Sequence, residues 1–318
     1  MLFYPSHDIA LGNGVKHFNP PAAARQLQED LAWLADIWND PSSPVPLPWG
    51  WDWDTRQYLH RTLGIGLKQL PTDDQLEALR QLSNRRTVIG ILQALDYAGP
   101  MPVYIATAEE LSHYIAEKQE AGESFVLKSP WSSSGRGLVR SSLPEATVRG
   151  RAQSVIRKMG GIMGEVWLQK KQDFAMLFRV GREEVSFVGY SLFETDDKGT
   201  YRQGLLLSDE AIEAALTAPG NGVTTADLHA LRNRLLPVLN RLFAPFFALP
   251  WQVGYIGLDM MITPQGIMPC VEMNVRCTMG VVARLYFDRH MQPSDRGRFV
   301  ISQMDHGTGH FEARFVKD

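Results

Sequence analysis

The chain has 318 residues, 44% of them hydrophobic and 21% charged, which suits a globular protein with room for two or three packed lobes. A net charge of −3 and a pI near 6.3 argue against a nucleic-acid protein, whose affinity rests on neutralising phosphates. Cys270 and Cys277 match neither a zinc pair nor a redox C-x-x-C and are expected to be buried, inert thiols. No apolar run reaches the roughly 18 residues of a membrane span, and Asp8 soon interrupts the N-terminal apolar residues, so neither a membrane nor a signal peptide is expected; a reducing cytoplasm fits.

Near the start, Ser6-His7-Asp8 reads either as part of an acceptor pocket or as a turn closed by its own aspartate. Residues 22–38 are expected to form one helix, with Leu27, Leu31, Leu34 and Trp38 at helical spacing. Pro41, Pro44, Pro46 and Pro48 then make the chain extended or turning. Trp49, Trp51 and Trp53 alternate with Gly50 and Asp52, which would set three indoles on one side of an extended segment, packed on the core or offered to a substrate or subunit. Helices are expected over residues 72–82, opened at Thr72 with Asp73 and Asp74 in its first turn, over 87–97, and from a Thr107 cap to about residue 121. Strands are expected over 165–170, 175–180, 184–193, 255–262 and 267–274. Further helices fall at 209–216, 225–247 (interrupted at Pro237 and Pro245) and 281–290. The fold class is α+β, antiparallel hairpins with helices packed on them.

Two segments carry chemistry. In residues 125–139 a β-rich run ends in Lys128, followed by the turn Ser132, Ser133, Ser134, Gly135, Arg136 and Gly137 and a second run. A lysine aimed at a turn of hydroxyls and glycines suits a polyphosphate. The alternative is a solvated hairpin tip, and the absence of G-x-x-x-x-G-K-[ST] excludes a P-loop. In the second segment Gln265 and Gly266 are expected to form a two-residue turn with Pro264 facing Ile267. That register sets Asp259 directly opposite Glu272, with Asn274 on the same face. Facing carboxylates repel across a strand pair, and this oxygen set suits magnesium. The alternative pairs each acid with an arginine, and a slip of one residue would break the convergence.

In order and spacing these residues resemble the ATP-grasp superfamily over about residues 84–280. The matching features are a strand with a phosphate-binding lysine (Lys128), a Gly-rich lid (132–137), an adenine-hinge strand (166–170) and a late D…E-x-N metal set (Asp259, Glu272 and Asn274). The resemblance implies a two-lobed nucleotide-binding fold: residues 84–165 as the small lobe, 166–318 as the large lobe, and 1–83 as a smaller N-terminal α/β lobe on the acceptor side. It implies that Trp167, Leu168, Gln169 and Lys170 contact adenine, and that Asp173 accepts a ribose hydroxyl. Lys128 and Arg276 would serve catalysis, Arg276 by steadying the γ-phosphate or a developing anion. The cofactors implied are ATP and magnesium, with manganese as a substitute. Two departures stand out: Gln169 replaces a frequent glutamate, and Asn84-Arg85-Arg86 stands near where the family often has an earlier lysine.

The implied activity is an ATP-dependent ligase joining a carboxylate to an amine or similar nucleophile through an acyl phosphate. A phosphotransferase on the same scaffold and a catalytically silent nucleotide-binding module stay open. The expected partner is a small-molecule acceptor of unread identity, with a homodimer common in the family. No G-x-S-x-G is present, and Gly307 and Gly309 favour a loop around His306 and His310 over a helical metal pair.

Overall fold

The structure, a computed structural model, describes residues 2–132, 137–195, 201–304 and 309–318. Ser133, Ser134, Gly135 and Arg136 of the expected lid, and His306, lie outside the described residues.

The N-terminal region is made of α1 (His7–Asn13), α2 (Ala22–Asp30), α3 (Ala35–Trp38), α4 (Trp53–Arg61) and α5 (Asp73–Leu82), followed by α6 (Thr87–Ala94). Residues 2–83 contain no strand, so the lobe expected there as α/β is helical. It keeps no core of its own. Phe3, Tyr4, Leu34, Trp38 and Trp49 join one apolar cluster of the large sheet, while Trp51, Leu59, Leu76 and Leu79 join another. The single helix expected over 22–38 breaks at Leu31, whose φ of −107° and ψ of 16° leave the helical region. The break lets Leu31, Leu34, Ile37 and Trp38 reach the core while α2, which has no fully buried residue, stays at the rim. The three tryptophans do not share a face either. Trp49 and Trp51 enter different clusters, and Trp53 begins α4.

The small lobe is a four-stranded antiparallel sheet of order β1-β4-β2-β3, formed by β1 (Val103–Ile105), β2 (Phe125–Lys128), β3 (Leu138–Arg140) and β4 (Ile162–Val166). Two helices, α7 (Ala108–Glu120) and α8 (Glu145–Met159), cover one face. Thr107 opens α7 with a reciprocal capping box to Glu110. Phe125, Leu127 and Val139 pack on Leu111, Ile115, Val148 and Ala152, so strand alternation turns Val126 and Lys128 to the other face. Neither β1 nor α8 was expected. The hinge strand expected over 166–170 ends at Val166, and residues 167–171 are a connecting segment.

The large lobe is a seven-stranded antiparallel sheet of order β11-β10-β7-β6-β5-β8-β9. Its strands are β5 (Gln172–Val180), β6 (Val185–Thr195), β7 (Tyr201–Leu206), β8 (Gly254–Thr263), β9 (Gly266–Asn274), β10 (Gly297–Gln303) and β11 (Phe311–Lys317). Phe174, Met176 and Phe178 bury against α9 (Asp209–Leu216) and α10 (Thr225–Phe243). Asp173, Ala175 and Leu177 take the opposite face, which the N-terminal region and α11 (Met279–His290) partly cover. Contrary to expectation, α10 runs through Pro237. Leu228, Leu231, Leu235, Leu239 and Phe243 form a continuous buried stripe that holds the helix together across the missing N–H. Pro245 falls in a separate 3-10 turn, Ala244–Phe246. Strands β7, β10 and β11 lay outside the expected set. Among the described residues no helix is long and apolar enough to cross a membrane.

Candidate functional site

A cavity of about 1220 Å³ is lined by both sheets, the 167–170 connection, α11's first turn and the N-terminal region. On the small sheet, Val126, Lys128, Leu138, Arg140 and Glu165 share the face turned away from the helices, because Val126 pairs with Glu165 and Arg140, and Lys128 with Leu138. Lys128 Nζ donates to Glu165 at 2.6 Å. The lysine is therefore where the sequence put it, but ion-paired.

On the large sheet Asp259 does pair with Glu272, though not through the expected turn. Thr263 faces Gly266, so the turn is Pro264-Gln265, and the ribbon starts in a different register. Between the Met261–Met268 and Asp259–Glu272 pairs, Met260 alone opposes Pro269, Cys270 and Val271. That bulge restores the alignment, and proline belongs in such a place because it has no N–H to give a ladder. Asn274 Nδ2 donates to Asp259 at 3.1 Å. Burial first, and Glu272 second, push the Asp259 carboxyl up to about 7, against the pull of Arg276 and the Asn274 hydrogen bond.

Glu272 is held by an arginine, as one alternative allowed, whereas among the described residues Asp259 is not. Arg85 pairs with Glu272 at 2.6 Å and also donates from Nη1 to the Ser129 carbonyl and the Ser132 hydroxyl, each at 2.7 Å. Burial opposes the guanidinium charge, but Glu272 outweighs it and raises the Arg85 pKa. Ser132, expected to meet phosphate, is buried against Arg85 and does not line the cavity among the described residues. Gly137 closes the hairpin: its φ is +72°, its carbonyl accepts from Ser129 N at 3.2 Å, and a Cβ there would lie 2.5 Å from Ser129 Oγ.

Arg276 is enclosed by acceptors. Its Nε and Nη2 donate to Asp8, with Nη2 at 2.7 Å, its Nη2 also reaches Asn274 Oδ1 at 2.9 Å, and its Nη1 reaches the Cys277 carbonyl at 3.1 Å. Four of its five N–H groups are engaged, and one on Nη1 is left for a ligand among the described residues. Burial works against the Asp8 charge, yet Arg276 overrides it and lowers the Asp8 pKa. The Ser6-His7-Asp8 alternatives divide by residue. Ser6 and Asp8 line the cavity, while buried His7 holds Asp52 at 3.0 Å.

Along the connection Trp167, Leu168 and Lys170 line the cavity, and Gln169 is exposed outside it. Arg140 lies over the Trp167 ring at 4.9 Å, and Lys170 donates to Asp173 at 2.5 Å. Cys270 and Cys277 are free and buried, and burial raises both thiol pKa values. His310 binds Asp30 at 2.9 Å. Glu165 and Arg140 were missed by sequence reasoning, Asp8 was offered only under one of two readings of Ser6-His7-Asp8, and Arg85 was noted only as a departure.

A seven-stranded antiparallel sheet carrying an acidic ribbon, and a small lobe offering a lysine hairpin to the same cavity, define the ATP-grasp fold. No family model matches the chain, and no curated protein matches it. Solved structures match in fold. The biotin carboxylase domain of the Hydrogenobacter thermophilus 2-oxoglutarate carboxylase, solved with MgADP, ADP and bicarbonate, aligns at 11% identity and a TM-score of 0.50 over 74% of this chain and 53% of that one. Biotin carboxylase from Campylobacter jejuni, solved as a β-γ-ATP complex, aligns at 14% identity and a TM-score of 0.50 over 82% of this chain and 60% of that one. The chain spans a little over half the length of the structures it matches.

Proposed function

We propose that the chain is an ATP-dependent ligase that joins a carboxylate to an amine or similar nucleophile through an acyl phosphate. The observation that carries this reading is the convergence of Asp259, Glu272 and Asn274 on one cavity with Lys128 of the opposite lobe. The donor set fits a divalent cation: two facing carboxylates, one of them held up near 7 with no cationic partner in contact among the described residues, gain from a cation between them. Among the described residues no three His, Cys, Asp or Glu side chains gather, so phosphate oxygens and water would supply the remaining ligands. Held by Asp259, Glu272 and Asn274, magnesium would neutralise charge on the β- and γ-phosphates.

In the first step an acceptor carboxylate oxygen attacks the γ-phosphorus and the bond to ADP breaks, giving an acyl phosphate and ADP. In the second the amine nitrogen attacks the acyl carbon, the C–O bond to phosphate breaks, and phosphate and one proton leave. Lys128 offers its ammonium to the transferring group in place of Glu165, and Arg140 with Trp167 offers a flat face for the base.

The test measures ADP release by the full chain with MgATP and pooled carboxylates, with and without pooled amines. Release that needs both is the expected outcome. Release without amines favours a phosphotransferase, and binding of MgATP with no release in any pool favours a silent module. Lys128→Ala is expected to cut kcat/KM about a hundredfold or more. Unchanged turnover would take Lys128 out of the site.

A further inference from the structure

We propose that the part of the cavity beyond Arg276 is an acceptor subsite selective for a monocarboxylic acid with an apolar, aromatic-sized body and no second charge. This rests on the ligase reading above. Glu272 pairs with Asp259, Asp259 with Ala175, and Ala175 with Ser191, so the four residues make one cross-strand row on the cavity face. Strands are spaced by about 4.8 Å, so Ser191 lies about 10 Å along the row from Asp259, within reach of the end of a metal-bound triphosphate.

Ser191 is 5% exposed, lines the cavity and makes no hydrogen bond through its hydroxyl among the described residues. Its hydroxyl points at the start of α11, because a Cβ on Gly280 would lie 2.5 Å from Ser191 Oγ. Thr278 caps that helix by accepting from Val281 N at 3.2 Å, which leaves the N–H groups of Met279 and Gly280 without a partner among the described residues. A helix start with two open N–H groups and an orphan hydroxyl favours an anionic oxygen pair. A second hydroxyl on the same lining, that of Ser6, is buried without a partner among the described residues.

The body of the ligand has apolar walls: Leu27, Trp49, Phe193, Tyr201, Ile301 and Phe311. Asp8 and Arg276 are the charged side chains beside them and they neutralise each other. A second carboxylate or an ammonium on the ligand would be buried without a counter-ion, which excludes dicarboxylic acids and zwitterionic amino acids.

Calorimetric titration of the full chain, with and without MgADP, tests this with phenylacetate against phenylalanine, glutarate and gluconate. Phenylacetate is expected to bind at least about tenfold more tightly than the other three. Ser191→Ala and Gly280→Ala are each expected to weaken phenylacetate by about tenfold or more with MgADP affinity kept, MgADP serving as the control for folding. Equal binding of glutarate or phenylalanine, wild-type affinity for phenylacetate in both variants, or no phenylacetate binding by a protein that binds MgADP would overturn the subsite. Binding of phenylacetate without any binding of MgADP would keep the subsite and overturn the ligase reading.

Discussion

At the level of single residues, Asp259 is the carboxylate whose ionisation the fold opposes most visibly. Burial, then Glu272, hold its carboxyl up to about 7, while in an unfolded chain an aspartate titrates near about 4. Between those values the folded protein keeps a proton that the unfolded chain has lost. Unfolding therefore releases a proton, and the metal-free protein loses stability as pH rises through this window, by at most about 1.4 kcal/mol per pH unit. Asp259→Asn removes the titration. Without metal it is expected to melt above the wild type at about pH 8 and to match it below about pH 4. A divalent cation takes the proton's place, so magnesium is expected to raise the wild-type Tm at about pH 8 and to leave Asp259→Asn nearly unmoved. Scanning fluorimetry across pH with chelator or magnesium reads both effects, and parallel wild-type and variant curves would sink the argument.

Among the elements, α4 shows how a helix start far in sequence from the acidic ribbon supports the cavity. Asp52 accepts from Thr55 N at 2.7 Å as the helix cap and from His7 Nδ1 at 3.0 Å, and both side chains are buried. His7 leads α1, whose next residue, Asp8, holds Arg276. Asp52→Ala is expected to cost about 2–4 kcal/mol, about 1 from the cap and the rest from a buried imidazole left without its partner. Asp52→Asn keeps an oxygen for the cap and is expected to cost clearly less in urea unfolding; equal losses would mean that neither bond matters. The helices with strong caps, such as α5 and α7, were legible because Thr72 and Thr107 act locally. The pairing of Asp259 with Glu272 was legible too, but from a turn one residue out of place, and the bulge at Pro269 brought the two acids back into line. Pro269 was the signal for that bulge. The partners of Arg85 and Asp8 were not legible, because burial against Glu272 and Arg276 is decided by tertiary packing that no local pattern reports.

For the whole molecule, the charges lining the cavity decide what the two lobes can close on. Among the described residues Lys128 is matched by Glu165, Arg85 by Glu272, Arg276 by Asp8 and Lys170 by Asp173, while Asp259 and Arg140 complete a lining whose cations and carboxylates are equal in number. A described lining of no net formal charge does not attract a triphosphate bearing about four negative charges, and a phosphate contact with Lys128, Arg85 or Lys170 must displace a carboxylate already there. A divalent cation changes this in two ways: it offsets half of the ligand's charge, and it gives Asp259 and Glu272 a shared partner, which frees Arg85 to turn toward phosphate. ATP binding is therefore expected to depend steeply on the metal, with affinity for MgATP at least about a hundredfold above that for ATP in chelator, equivalent to about 2.7 kcal/mol. Glu165→Gln relaxes the condition from the small-lobe side by leaving Lys128 without its acid. That variant is expected to bind metal-free ATP about tenfold more tightly than the wild type, with a smaller ratio of MgATP to ATP affinity. Titration of labelled ATP into both proteins, with chelator and with magnesium, measures the two ratios. A wild type that holds ATP equally well in chelator would mean that the paired cations are not what the triphosphate meets.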